Sequence, residues 1–221
     1  MVKMTYNEIF KTGSLKDLIY FPLLFNVIGF LSIGFLYAVS SGLAVDFNTL
    51  QYLVFIIEWV VAFIVIGRLR RQGLPLKGFI MPRKKFRWIP AFLVFVSLNV
   101  LLIVYLLYPL IPIPSMGHLS LLQLLFFLAL LPVTAGFVEE LIWRGYFIEK
   151  LLAKGYSEWK TILFSSISFA FIHGLLVDKL IVTFLFGLIA GIYYLRERNL
   201  VVLMGTHTVV DIVGFALKIF A

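Results

Sequence analysis

The sequence predicts an all-α polytopic membrane protein. It has seven transmembrane helices, or eight if the fourth apolar run is divided, enclosing a polar intramembrane cavity. Three observations lead there. The 221 residues are 62% hydrophobic and 14% charged, with a mean hydropathy of +1.05. Several apolar runs exceed the roughly 18 residues that suggest a membrane span. The basic residues border those runs instead of forming a soluble face. No large soluble domain fits, and the net charge of +8 is read as membrane orientation, not as a nucleic-acid footprint. With no cysteine, disulfides, thiolate nucleophiles and cysteine-ligated zinc are excluded.

Apolar periodicity places the spans at about 19–40, 50–67, 88–111, 119–150, 161–176, 180–195 and 200–220. Residues 1–18 are polar and mixed in charge, so no cleavable signal is expected. Ser14-Leu15-Lys16-Asp17 forms a capping box that starts the first helix. The fourth run is too long for one simple crossing and should bend near Pro132. Residues 1–118 form an N-terminal set of helices, and 119–221 a second set, within one membrane domain. No repeat or low-complexity segment interrupts them.

The segment 68–87 holds Arg68, Arg70, Arg71, Lys77, Arg83, Lys84, Lys85 and Arg87 without an acidic residue, and is therefore assigned to the cytoplasm. Alternation then sets the N-terminus and Arg196 and Arg198 on the same side and leaves only Lys179 and Lys218 outside the pattern. The basic segment is foremost a topology determinant, and anionic lipid headgroups are its expected partners. A multi-pass position in the plasma membrane follows as the default.

Seven ionisable residues remain inside spans: Glu58, Glu139, Glu140, Arg144, His173, His207 and Asp211. Charges in hydrocarbon cost from about 2.5 kcal/mol each, so they are rare and usually functional. At about 1.5 Å per residue, Glu139 lies roughly 16 Å from residue 150, His173 about 18 Å from 161, and His207 and Asp211 about 11 and 16 Å from 200. Residues on three helices thus reach similar depth, as a shared cavity requires. Glu140 and Arg144 are four apart and can pair, as are His207 and Asp211, which can face one cavity. Glu139, rotated about 100° from Glu140, serves the cavity while Glu140 satisfies Arg144. Glu58 lies outside these clusters and is read as a structural partner or a lumen-facing residue, and His118, in the loop 109–118, has no assigned role. Gly136, Gly145, Gly174, Gly187, Gly191, Gly205 and Gly214 permit close helix packing around the site.

A carboxylate, two imidazoles and a further carboxyl in a confined pocket suit hydrolysis, with a glutamate as general base toward water. The competing chemistry is zinc held by His173, His207, Glu139 and Asp211 with an open position for water. Neither HExxH nor GxSxG is present.

The three clusters Glu139-Glu140-x-x-x-Arg144, Phe169-x-x-x-His173 and His207-x-x-x-Asp211 resemble the motifs of the CPBP family, which includes the type II CAAX prenyl endopeptidases and the bacteriocin-processing and immunity proteins. The resemblance covers about residues 119–221. It implies an all-helical intramembrane protease needing no cofactor, in which Glu139 and His173 activate water, and His207 and Asp211 form the oxyanion site. Arg144 would hold Glu140 or meet a substrate carboxylate, and Phe169 would pack at the cavity wall. Substrates would be membrane-associated or lipidated proteins. Asp211 stands where the prenyl-protease branch carries asparagine; an aspartate must be protonated, orient His207 or meet a cation to serve there. The chain ends soon after the third motif, so a final helix of some relatives is expected to be missing. The alternatives are a non-catalytic scaffold or immunity protein, a metal-dependent variant of the protease, and a proton-coupled transporter; the last would call for repeated half-domains that the sequence lacks.

Overall fold

The computed structural model describes residues 47–71, 76–82, 84–107, 119–173 and 176–220. The expected span 19–40, the capping box at 14–17, the loop 109–118 with His118, and Gly174 lie outside these residues. Among the described residues the fold is all-helical: α1 (Phe47–Arg71), a short turn of helix at Leu76–Ile80, α2 (Trp88–Leu107), α3 (Leu121–Ala153), α4 (Glu158–Ile172), α5 (Val177–Glu197) and α6 (Leu200–Phe220).

Five of these helices, α1, α2, α3, α5 and α6, are long and apolar enough to cross a membrane. The run expected at 161–176 instead forms α4, which has 15 residues, short of the roughly 20 needed for a straight crossing. Large apolar side chains such as Phe63, Phe92, Leu107, Leu122 and Phe220 are exposed. In water such a surface would be an association hazard; against lipid tails it is the expected exterior.

The start of α3 follows from a capping box: Gln123 N–H donates to Ser120 Oγ (3.4 Å) and Ser120 N–H to Gln123 Oε1 (2.9 Å). The expected bend near Pro132 takes the form of a change in winding. A π-helical turn at Phe126–Leu130 immediately precedes the α-helical stretch that carries Pro132, whose ring and missing N–H disturb the preceding turn. A second π-helical stretch, Glu140–Ile148, starts just after Glu139. Such insertions gather at functional sites.

Helix α4 packs along α5, and α3 along α6. Two glycines make these contacts close: a Cβ on Gly136 would lie 2.6 Å from the Met204 carbonyl oxygen, and one on Gly187 would lie 2.8 Å from the Ser166 Cα. Gly205, expected to do the same, faces open space. At one end of the bundle Arg198, in a left-handed conformation (φ 51°), closes α5. It pairs with Glu149, which also accepts from Tyr194 Oη (2.8 Å). Arg87 pairs with Glu197 (3.2 Å), and Lys84 donates to the Arg196 carbonyl. Basic residues that the charge pattern assigned to one side therefore meet at one end of the molecule.

Candidate active site

Helices α1, α2, α3, α5 and α6 and the end of α4 surround a cavity of about 440 Å³. Its lining includes Glu58, Glu139, Phe169, His173, His207 and Asp211. Four residues expected from the sequence to form the site thus come together, and Glu58 joins them.

Glu139 is the hub. Its Oε2 lies 3.7 Å from His173 Nε2 and 3.7 Å from His207 Nε2. Asp211 Oδ2 lies 3.7 Å from the same His207 nitrogen. These separations are too long for direct hydrogen bonds, and they leave the three groups converging on one point of the cavity.

The far nitrogen of each ring is pinned. His173 caps the C-terminus of α4, and its Nδ1–H donates to the Phe169 carbonyl oxygen (2.8 Å). Because a carbonyl only accepts, a neutral His173 presents an unprotonated Nε2 to Glu139. The four-residue spacing of Phe169 and His173 thus works through the backbone of Phe169. Its ring stacks 4.5 Å from His173 and is buried at the wall, as expected. On α6, His207 Nδ1 lies 2.9 Å from Glu140 Oε1, a contact the sequence reading did not anticipate because the partners are 67 positions apart.

Glu140 also accepts from Arg144 Nη1 (3.0 Å), the expected pair. The guanidinium sits 4.2 Å over the Phe169 ring and 5.6 Å from that of Phe186. Arg144 is 1% exposed and does not line the cavity. Of the two roles foreseen for it, this position supports the first: it holds Glu140, which holds His207. Likewise, of the roles foreseen for Asp211, orienting His207 from its far side belongs to Glu140, since Asp211 meets the reacting-side nitrogen. The other missed residue, Phe186, stacks 4.7 Å from His207; only its place on a helix bordering the motifs hinted at it.

Among the described residues no three His, Asp or Glu side chains are arranged as a metal-ligating group. Glu140, the carboxylate that touches an imidazole most closely, is already engaged by Arg144.

Residues 121–213 match the family model described as Rce1-like, type II CAAX prenyl endopeptidase Rce1-like. Over that stretch, which is less than half of the chain, it is similar to Rce1-like proteins. The match contains all three clusters and leaves out α1, α2 and Glu58. With five helices among the described residues long and apolar enough to cross a membrane, the chain is an integral membrane protein. No curated protein and no solved structure matches it.

Proposed function

We propose that this protein, similar over residues 121–213 to Rce1-like proteins, is an intramembrane endopeptidase that cleaves membrane-associated proteins, prenylated CAAX-type chains among them, with a water activated by glutamate. The observation that supports this most directly is the position of Glu139 Oε2, equidistant from two imidazole nitrogens inside the cavity.

Glu139 takes a proton from water, and the oxygen attacks the carbonyl carbon of the scissile bond. The Nε2 lone pair of His173 holds the second hydrogen of that water. The carbonyl oxygen becomes an oxyanion beside His207 Nε2; a ring protonated at both nitrogens donates there and to Glu140 together. Glu139 then passes its proton to the amide nitrogen as the C–N bond breaks, leaving a carboxylate on one fragment and an amine on the other. Asp211 accompanies His207 on this side as a protonated carboxyl that donates a hydrogen bond. Glu58 lines the same cavity and, with one of the two carboxyls carrying a proton, would hold Glu139 in place. The N-terminus and the basic segment 68–87 face the cytoplasm of the cell membrane.

The test uses purified protein in neutral detergent and a farnesylated fluorogenic CAAX peptide. Cleavage is expected in the wild type, unaffected by chelator, and reduced about 10²–10⁴-fold in Glu139→Gln, the range for loss of a general base. Activity that vanishes with chelator and returns with zinc would replace this mechanism with a metal-dependent one. A wild type that cleaves no such peptide would remove the prenyl-processing form of the proposal and favour the scaffold reading.

A further inference from the structure

The two groups placed on the attacking water stand on different helices. Glu139 belongs to α3, and His173 closes α4. Their facing atoms are 3.7 Å apart, too far for a bond that would hold them together. The gap is therefore set by whatever fixes α4 against α3. Helix α4 has 15 residues and turns Trp159, Leu163, Phe164, Ile167 and Phe171 outward, so its exposed side gives it no register.

Trp143 supplies a fixing point. It is buried and lies four residues after Glu139, about one turn along α3. Its indole Nε1–H donates to Ser168 Oγ (3.1 Å), and its main-chain carbonyl accepts from Ser165 Oγ (3.1 Å). Two bonds, one from the ring and one to the backbone, thus join a single residue of α3 to one face of α4, where Ser165 and Ser168 are three apart. Ser165, Phe169 and His173 follow one another at intervals of four, so the clamp lies about one to two turns before the imidazole.

The bond to the carbonyl ties helix to helix most directly. A side chain can turn to another rotamer, whereas a main-chain carbonyl moves only with its helix. This carbonyl belongs to the π-helical stretch Glu140–Ile148, which also carries Arg144. Ser165 therefore grips the same stretch of backbone that presents the second glutamate. Hydroxyl bonds between helices are common glue in a membrane; this pair also spans the interval between Glu139 and His173. The neighbouring serine is built differently. Ser166 is equally buried, but its hydroxyl donates to the Ile162 carbonyl of its own helix (2.8 Å), and its backbone meets Gly187 of α5.

We propose that Trp143, Ser165 and Ser168 are positioning residues that set the distance between Glu139 and His173. The kinetic consequence rests on the endopeptidase function proposed above; the effect on the imidazole does not.

The test joins kinetics to a readout that needs no cleavage, both on the full chain in maltoside micelles. The chain has three histidines, so ¹³C-histidine labelling gives three ring signals, and that of His173 is identified by its loss in His173→Ala. It should shift or broaden in Ser165→Ala/Ser168→Ala and in Trp143→Phe, which keeps a ring but has no N–H to donate, and stay in place in Ser166→Ala. With the farnesylated peptide, the double serine change should lower kcat about 10–10²-fold at little-changed KM, the scale of a reacting group misplaced by about 1 Å. Ser165→Thr/Ser168→Thr, which keeps both hydroxyls, should recover most of that loss. In single turnovers on the His173→Ala background, the double alanine change should cost less than about twofold more, because the ring it positions is gone.

An equal loss with and without His173 would make the serines general helix glue and overturn the proposal. A His173 signal unmoved by both Trp143→Phe and the double serine change would overturn it too, whatever the rates. A wild type that cleaves nothing, with a His173 signal that moves in both variants, removes the endopeptidase reading and leaves the clamp standing. Cleavage by the wild type with an unmoved signal removes the clamp alone.

Discussion

His207 Nδ1 lies 2.9 Å from Glu140 Oε1, and the same carboxylate oxygen accepts from Arg144 Nη1 at 3.0 Å. One buried oxygen thus joins the second glutamate of the pair to the imidazole on α6, and the paired glutamates take separate tasks: Glu139 lines the cavity and Glu140 orients a ring from behind it. Glu140→Gln keeps the shape but replaces the carboxylate that contacts both His207 and Arg144 with a neutral amide. Its kcat should fall about 10²-fold with KM little changed, in keeping with conserved outer partners of reacting imidazoles. Glu140→Ala should also lose about 3–5 kcal/mol of stability, because the buried Arg144 is left without its partner. Thermal melting beside steady-state kinetics separates the two effects; equal kcat losses with equal stability in both variants would contradict this division.

His173 and Phe169 make a contrasting pair. The bond that fixes the ring uses the Phe169 carbonyl, which every residue supplies. Phe169→Leu should therefore retain His173 orientation and lose mainly aromatic contact with Arg144 and packing, with activity reduced less than about tenfold. His173→Ala removes the group facing Glu139 and should cost about 10²–10⁴-fold in kcat. Were the two variants equally inactive while both folded, the phenylalanine ring would have a chemical role that the geometry does not give it.

Asp211 meets His207 on the side where an oxyanion would form. An ionised carboxylate there competes with that charge, whereas an amide can donate to it. Asp211→Asn is expected to keep or raise kcat, and Asp211→Leu, with no donor, to lower it by about tenfold or more. A strong loss in Asp211→Asn would show that the carboxyl itself takes part, as proton carrier or cation partner.

Much of this site was legible in the sequence because it is written in local spacing. Glu140 with Arg144, Phe169 with His173 and His207 with Asp211 are four-residue relations on helices, and helix geometry makes them neighbours. Contacts between helices were not legible. The bond from His207 to Glu140, the stacking of Phe186 on His207 and the entry of Glu58 into the cavity depend on how α1, α3, α5 and α6 rotate against one another, which hydropathy does not specify in spans apolar on most faces. The π-helical stretch beginning at Glu140 was hidden for the same reason: its winding is settled by packing, since nothing in Glu140–Ile148 breaks an α-helix by propensity except Gly145. Span length misled at α4, where apolar composition ran on to residue 176 but the helix closes at His173.

Gly136 ties the site to the scaffold. It lies three residues before Glu139, and a Cβ there would lie 2.5 Å from Thr208 Oγ1 and 2.6 Å from the Met204 carbonyl oxygen. The backbone contact cannot be relieved by a rotamer change, so α3 and α6 must separate. Gly136→Ala is expected to destabilise the protein by about 1–3 kcal/mol, as overpacking does, and to move Glu139 away from His207. Activity should fall further than the loss of folded protein explains. Gly205→Ala on the same helix pair, where open space receives the methyl, is the matched control and should melt at or above the wild-type temperature.

Glu58 lies on α1, outside the stretch matched by the family model, yet it is 1% exposed and lines the cavity together with Glu139. With one of the two carboxyls protonated, a hydrogen bond between them would hold Glu139 in place while leaving its Oε2 toward the imidazoles. Glu58→Gln retains a donor for that bond and should lower kcat less than about tenfold. Glu58→Leu removes it, lets Glu139 turn, and should lower kcat by about 10²-fold at unchanged KM, since a misplaced reacting group loses rate on that scale. The Gln and Leu variants would be compared by single-turnover cleavage with melting temperatures measured in parallel. Equal rates in the two would make Glu58 a packing residue, and a loss confined to KM would move it to the substrate-binding wall.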